Sequence, residues 1–156
     1  MPAITIREYN PDSGALLGNI STLSFGRITA GTTSSVKVID IAFTELTQVG
    51  NIKLGLVSSG NLTVNANPTD VTADGSASNG HFGIESTASF DASKASSALS
   101  RHFAGSNTTS TAANANNVSV ANRSSTISNY IYLDVEIDAS NTEVTNGAYK
   151  VFFDYN

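Results

Sequence analysis

Apolar and polar residues alternate with a period of two along much of this chain, which is the pattern of β-strands with one buried face. The longest alternating segment runs from Ile127 to Ile137. Within it, Ile131 and Leu133 share one parity, whereas Tyr132 and Asp134 share the other. The pattern predicts a strand with an apolar inner face and an outer face of tyrosines and carboxylates.

A second alternating segment, Ala148–Tyr155, closes the sequence and follows the turn signal Asn146-Gly147. The two segments are separated only by residues 139–147. We therefore expect them to pair as an antiparallel hairpin.

Between Val36 and Phe43 the parity of the apolar residues changes: Val36 and Val38 share one parity, and Ile39 and Ile41 share the other. Either a bulge that switches faces or a strand buried on both sides explains this change. Shorter strands are predicted at Ala3–Tyr9, Thr22–Ile28, Ile52–Val57, Leu62–Asn65 and Phe82–Phe90. A total of about seven or eight strands favours an all-β, mostly antiparallel fold over 1–156, a single β-sandwich of immunoglobulin-like or jelly-roll-like type.

One segment departs from the strand pattern. Asp91 can cap a short helix that Gly105 ends. Its apolar side would carry Ala95, Ala98, Leu99, His102 and Phe103. After it, residues 104–122 are rich in Ser, Thr, Asn and Ala and carry no charge, which predicts an extended polar loop or arm. Residues 65–79 predict a second polar loop.

The composition excludes several classes of function. Only 13% of the 156 residues are charged, the formal net charge is -5, and Cys is absent. Disulfides and thiolate chemistry are excluded, and the 8 scattered basic residues disfavour binding to nucleic acid or to an anionic membrane surface. The first residues lack the pattern of a secretory signal, so we expect synthesis in a cytoplasm.

Candidate catalytic chemistry is sparse. The two histidines, His81 and His102, belong to no recognisable motif, and no glycine-rich loop could cradle a nucleotide. Asp134, Glu136 and Asp138 form an acidic stripe, which we interpret as a solvated or salt-bridged outer face. One loop holds several oxygen donors, but their spacing is not that of a calcium-binding loop: Asp70, Asp74, Ser76 and Asn79. We expect no enzymatic activity, no cofactor and no metal.

Two resemblances give these features a context. Phe25–Ser34, leading into Val36–Ile41, resembles the opening of immunoglobulin-like sandwich domains, in which a Phe-Gly strand end and a Gly-Thr-Ser turn precede a long strand. The whole chain resembles a small structural protein of a tailed bacteriophage, through the Gly31–Ser35 turn and the segments Gly50–Val57 and Gly147–Tyr155. This second resemblance implies a homo-oligomeric virion component, either a capsid decoration (cement) protein or a tail accessory, with copies of itself and other virion proteins as partners.

The alternative function is a carbohydrate-binding or adhesion module, in which Tyr130, Tyr132 and Phe152 would stack on sugars and make weak glycan contacts. In either case the functional residues are surface contacts. The residues predicted to form an interface are Tyr130, Tyr132, His102, Phe103, Asn107 and Asn117.

Overall fold

A computed structural model of the chain describes residues 3–59, 80–96, 99, 101–102, 118–137, 139 and 146–156. The elements are β1 (Ala3–Tyr9), β2 (Leu16–Ile20), β3 (Lys37–Thr44), β4 (Val49–Ser59), β5 (Gly80–Ile84), α1 (Ala92–Ser96), β6 (Arg101–His102), β7 (Val118–Ser119), β8 (Asn122–Ser124), β9 (Ile127–Ser128), β10 (Ile131–Val135) and β11 (Asn146–Tyr155).

The strands form two sheets. The larger sheet has the order β2-β1-β3-β10-β5-β6, and β9 joins β3 to β8 beside it. The smaller sheet has the order β11-β4-β7. Every pairing described between these strands is antiparallel. The predicted all-β, mostly antiparallel fold with one short helix is confirmed.

The predicted hairpin between the two longest alternating segments is wrong. Strand β10 pairs with β3 and β5, whereas β11 pairs with β4 in the other sheet. Their apolar faces share one core cluster: Leu133 and Val135 of β10 belong to it, and Val151 and Phe153 of β11 pack against it. Alternation identifies the buried face of a strand but not the strand that is hydrogen-bonded beside it. Two strands that face each other from opposite sheets therefore have the same sequence pattern as two strands that pair within one sheet.

The predicted strand Ile127–Ile137 is also interrupted. Ile127 pairs with Ala42 and Ile131 pairs with Ile39. Advancing four residues, from Ile127 to Ile131, therefore corresponds to advancing three residues along β3. The extra residue makes a break between β9 and β10, and this break carries the buried side chain of Asn129.

The main apolar core, here called the inner core, lies between the two sheets. Ile41, Ile131 and Leu133 of the large sheet are fully buried, and Ile52 and Leu54 of the small sheet are each 1% exposed. Burial of such side chains stabilises the fold by about 1.5–3 kcal/mol each. This arrangement makes the molecule a two-layered sandwich.

The opposite face of the large sheet is also covered. A second cluster, here called the outer cluster, contains Tyr9, Val36, Val38, Ala95 and Tyr132. Phe90, Leu99 and Tyr130 pack against it. Strand β3 therefore contributes alternate residues to both clusters, which selects the second explanation of its parity change: a strand buried on both sides.

The predicted helix is confirmed in position but is shorter than expected. It spans Ala92–Ser96 and buries Ala95 beneath it. Leu99 lies beyond the helix, and His102 lies in strand β6, so the predicted helical face does not extend that far. Serine-rich segments lose helical stability because their hydroxyls compete for backbone hydrogen bonds. Ala98 and Phe103 lie outside the described residues.

Two further predictions need correction. The predicted arm 104–122 ends in strand β7 and the start of β8, and Val118 and Val120 are buried in the inner core. The rest of that arm and the loop 65–79 lie outside the described residues. Thr22–Ile28 contains no strand, although Leu23, Phe25 and Ile28 pack against the inner core.

Candidate functional sites

Strand β2 is an exposed edge of the large sheet. Within the described residues its only strand partner is β1, and its two leucines are the most exposed large aliphatic side chains there, with Leu16 54% and Leu17 61% exposed. Glu8 pairs with Gly18 and Tyr9 pairs with Leu16, so Leu17 is an unpaired bulge residue. The strand carries no charge and no proline, two of the usual protections of an edge strand.

A buried ion cluster occupies the outer face of β1 and β3. Asp40, which is fully buried, accepts two hydrogen bonds from Arg7, from Nε at 2.7 Å and from Nη2 at 2.5 Å. Arg123 also donates to Asp40 through Nη2, and the Tyr9 hydroxyl donates to Oδ2 at 2.8 Å. The hydrogen bond to Asp40 raises the pKa of Arg7. A buried carboxylate is stable only with such partners.

Aromatic rings complete this cluster. The Arg123 guanidinium lies 4.2 Å from the centre of the Tyr130 ring, and the Tyr9 and Tyr130 rings meet edge to face at 5.0 Å. Burial raises the pKa of Tyr9, so its hydroxyl remains a proton donor. Arg123 Nη1 is buried without a hydrogen-bond partner. The geometry of the cluster is that of a structural ion network.

A second buried network lies beneath the helix. Tyr132 donates its hydroxyl proton to Glu85 Oε1 at 3.1 Å and accepts a hydrogen bond from the Asp91 backbone N–H at 2.9 Å. Lys94 pairs with Glu85 Oε2 at 2.9 Å. Burial raises the pKa of Tyr132, and hydrogen bonds from Ser93 lower the pKa of Asp91. This network fixes the helix onto the sheet.

Asp134 is the third buried carboxylate of the outer face, with no exposed surface. Its Oδ2 accepts a hydrogen bond from the Leu99 backbone N–H at 3.2 Å. The antiparallel register places Asp134 directly opposite His81, and His81 directly opposite His102. The sequence suggested no link between these three residues, because they lie in three separate segments.

The structure corrects the predicted outer face of tyrosines and carboxylates. Tyr132 and Asp134 are fully buried, and Tyr130 is half-buried within the outer cluster. Tyr132 therefore cannot be the surface contact predicted from its parity. The prediction placed these side chains on the correct face of the strand. That face is nevertheless covered by α1, Phe90 and Leu99, so the side chains on both faces of the strand are packed.

The other predicted site residues are dispersed. His102 lies in the edge strand β6, and Phe152 lies in β11. Phe103, Asn107 and Asn117 lie outside the described residues, as do Asp138 of the acidic stripe and the loop with the oxygen donors. Glu136 is half-buried, and its backbone forms an isolated antiparallel β-bridge with Thr33. The exposed leucines of β2 were missed because Leu16 and Leu17 are adjacent and break the alternation.

Comparison of the chain with known protein families, curated proteins and solved structures finds no match in any of the three. Within the described ranges, no helix is long and apolar enough to cross a membrane. The described side chains include no group of three His, Cys, Asp or Glu residues arranged to hold a metal ion. The class that the fold defines is an all-β protein built from two antiparallel sheets.

Proposed function

We propose that this protein is a non-enzymatic structural component of a tailed-phage virion that assembles from copies of itself, on a capsid as a decoration protein or in the tail. The observation that carries self-assembly is the exposed, uncharged edge strand β2. The phage context comes from the resemblance of the chain to small virion proteins.

Strand β2 is suited to pairing with a second copy of itself. An edge strand presents unpaired backbone N–H and C=O groups, and another strand can satisfy them. Two β2 strands related by a two-fold axis would pair antiparallel and extend the large sheet across both copies. Such pairing would cover part of the exposed surface of Leu16 and Leu17.

The distribution of charge supports association. At least four of the 8 basic residues form ion pairs within the chain: Arg7, Lys37, Lys94 and Arg123. Their carboxylate partners are satisfied in the same contacts. A surface poor in free charge costs little to desolvate when copies meet, which suits a protein that packs against neighbours in a shell or tube.

The test is the mass of the native assembly, measured by light scattering after size exclusion. We expect the wild-type chain to give a multiple of 16.2 kDa. Leu17→Lys places a charge on the edge and should return the mass to that of one chain. Ile4→Lys is the control, because Ile4 is 42% exposed but lies on β1. A wild-type protein that is monomeric at every concentration, or a Leu17→Lys assembly of unchanged mass, would overturn the proposed contact.

The virion assignment has its own test. Purified phage particles from a host that carries the coding sequence should contain the chain in many copies by mass spectrometry, and immunogold labelling should locate it on the capsid or tail. Its absence from intact particles would reject the virion assignment and leave the self-association result standing.

A second candidate, glycan binding, is favoured by one observation. Tyr155 is 60% exposed beside a shallow depression lined by Gln48, Gly50 and Asp154. Asn51 donates to Asp154 Oδ2 at 2.6 Å at the rim of this depression. An exposed ring beside amide and carboxylate groups is a combination able to bind sugars. A glycan array with signals that Tyr155→Ala abolishes and Tyr155→Phe keeps would favour this candidate, and an array without signals would exclude it.

A further inference from the structure

Strand β11 forms a second edge of the molecule, at the end of the small sheet. Its ten residues contain no proline, and β4 is the only described strand that pairs with it. Natural edge strands are usually short, or are interrupted by proline or by bulges. The one irregularity of this pairing lies in β4, where Asn51 and Ile52 stand opposite the single residue Phe153. The outer edge of β11 therefore runs without a break, which favours pairing with another strand.

The hydrogen bonds around β4 show which residues of β11 direct their backbone groups at the open edge. Asn156 donates its N–H to the Gln48 carbonyl at 3.1 Å, so its backbone groups point at the side of β4. Val49 lies directly opposite Tyr155 but donates its N–H at 2.8 Å to a residue on the other side of β4. The direction of the backbone groups alternates along an antiparallel strand. The odd-numbered residues of 149–155 therefore present their N–H and C=O groups at the open edge.

We propose that β11 is a second self-association edge, which pairs antiparallel with β11 of another copy about a two-fold axis at Phe152. Residues lie directly opposite each other in an antiparallel pair only where their backbone groups point at each other or away from each other. A symmetric pairing therefore sets odd-numbered residues opposite odd-numbered ones. An axis at Phe152 sets Val151 opposite Phe153 of the other copy, and Tyr149 opposite Tyr155. The small sheet would then continue across both copies.

The charged residues of β11 select this register among the alternatives. The strand carries two charged residues of opposite sign, Lys150 and Asp154, four positions apart. An axis at Phe152 places position 150 of each copy opposite position 154 of the other, in pairs whose Cα atoms are about 4.5 Å apart. An axis at Lys150 or at Asp154 would oppose like charges, which destabilises strand pairing. An axis at Val151 or Phe153 would oppose no two charges.

The described side chains at the end of β11 are compatible with a covered edge. Tyr155 is 60% exposed, although it is a large aromatic residue within a strand. Asp154 Oδ2 accepts a hydrogen bond from Asn51 Nδ2 at 2.6 Å, which holds the carboxylate in place and leaves it further acceptor sites. A single charge on an edge strand discourages pairing, but two opposite charges at these positions make the edge complementary to itself.

This contact goes beyond the one proposed for β2, because β2 belongs to the large sheet and β11 to the small sheet. Two different two-fold contacts on one chain build assemblies larger than a dimer, as in the symmetric oligomers with several axes. Exposed ion pairs contribute little stability. We therefore expect the β11 contact to be the weaker of the two and to form at a higher protein concentration.

The experiment uses the full chain with Leu17→Lys, which removes the β2 contact and is a single chain in dilute solution. Analytical ultracentrifugation at low ionic strength follows its mass as the concentration is raised towards the millimolar range. We expect reversible dimers. Lys150→Asp and Asp154→Lys, each added to this chain, should weaken dimerisation by about 10-fold or more, because each opposes like charges twice across the axis. Arg27→Asp, at an exposed position outside β11, makes the same change of net charge as Lys150→Asp and should dimerise as the parent does.

A mixture of the two β11 variants tests the register. Lys150→Asp has acidic residues at both positions and Asp154→Lys has basic residues at both, so a mixed pair opposes only unlike charges. The mixture should dimerise at least as well as the parent, which a variant that had merely lost its fold could not do. A parent that stays monomeric at every concentration, or a mixture that does not associate, would overturn the β11 contact. The masses of the wild type and Leu17→Lys in dilute solution test the β2 contact separately, so either contact can fail alone.

Discussion

The two faces of strand β3 achieve burial by different means. On the inner face, Ile39, Ile41 and Phe43 are buried in the apolar inner core. On the outer face, Val38 is followed by Asp40, whose charge is balanced by two arginines and a tyrosine hydroxyl. The stabilisation from an apolar contact depends mainly on the buried area and volume. The stability of a buried ion, in contrast, depends on every one of its partners. The inner face should therefore respond to substitution gradually, and the outer face abruptly.

The largest effect is expected for Asp40→Ala. Removing this carboxylate leaves Arg7 and Arg123 part-buried without their partner, which should lower the free energy of unfolding by about 4 kcal/mol. Urea denaturation followed by circular dichroism measures the change. Asp154→Ala, at an exposed position, is the control and should stay within about 0.5 kcal/mol of the wild type. A cost below about 1 kcal/mol at Asp40 would show that the ion cluster does not hold the outer face together.

Ile41, the next residue along β3, tests the inner face at the same depth. Ile41→Ala should cost about 3 kcal/mol and Ile41→Val about 1 kcal/mol, because the lost stability follows the volume removed. The same denaturation experiment applies. If the Val variant cost as much as the Ala variant, the graded response expected of an apolar contact would be absent.

Two glycines with positive φ angles separate the cost of backbone strain from the cost of displacing Phe90 of the outer cluster. Gly14 and Gly26 have φ angles of 70° and 72°, but a Cβ on Gly14 would lie 2.7 Å from Phe90 Cδ1, whereas a Cβ on Gly26 meets nothing within 4 Å. Gly26→Ala should cost about 1 kcal/mol from strain alone. Gly14→Ala should cost about 2–3 kcal/mol, because Phe90 must also move. Equal costs would mean that Phe90 yields freely and that this border is loosely packed.

A smaller effect than that of Asp40→Ala is expected at neutral pH for Tyr132→Phe. This change leaves Glu85 Oε1 and the Asp91 N–H without one partner each, while the ring stays in place. We expect a loss of about 1–2 kcal/mol. Tyr155→Phe, at an exposed ring, is the control with no expected cost. A neutral result for Tyr132→Phe would indicate that water replaces the hydroxyl.

The stabilities of the wild type and Tyr132→Phe should also differ in their dependence on alkaline pH. Burial raises the pKa of Tyr132, so the folded state retains a proton that the unfolded state releases near its ordinary pKa of about 10. The stabilisation is complete below that pH and is lost as the pH rises above it, at up to about 1.4 kcal/mol per pH unit for each such tyrosine. Denaturation midpoints measured above that pKa should fall less steeply for Tyr132→Phe than for the wild type. If the stabilities of the wild type and Tyr132→Phe fell equally steeply with pH, the raised pKa of Tyr132 would not be the cause.

Alternation was enough to find most strands and the residues of the inner core. Ala3–Tyr9 was predicted with the bounds that it has, and the closing strand was predicted to within two residues. The turn at Gly31 was also recognisable, and the glycine there has a φ of 80°. Strand β2 was not predicted, because Leu16 and Leu17 occupy consecutive positions around a bulge and leave no regular period.

The candidate sites were largely invisible in the sequence. A charged residue that alternates with apolar ones is usually a solvated residue, so Asp40, Glu85 and Asp134 gave no sign of burial. Their partners lie far away in the chain, as with Arg7 and Arg123, which are 33 and 83 residues from Asp40. Pairing of such distant segments depends on strand order, which local patterns do not encode.

The sequence by itself determined that this is an all-β chain, which side chains share a strand face, and that no recognised catalytic motif is present. Only the tertiary structure decided which strands pair, that both faces of the large sheet are covered, and that β2 has no strand partner besides β1 among the described residues. The reason is physical. The alternation of side chains is a property of a single strand, whereas the burial of a face depends on what the rest of the chain places against it.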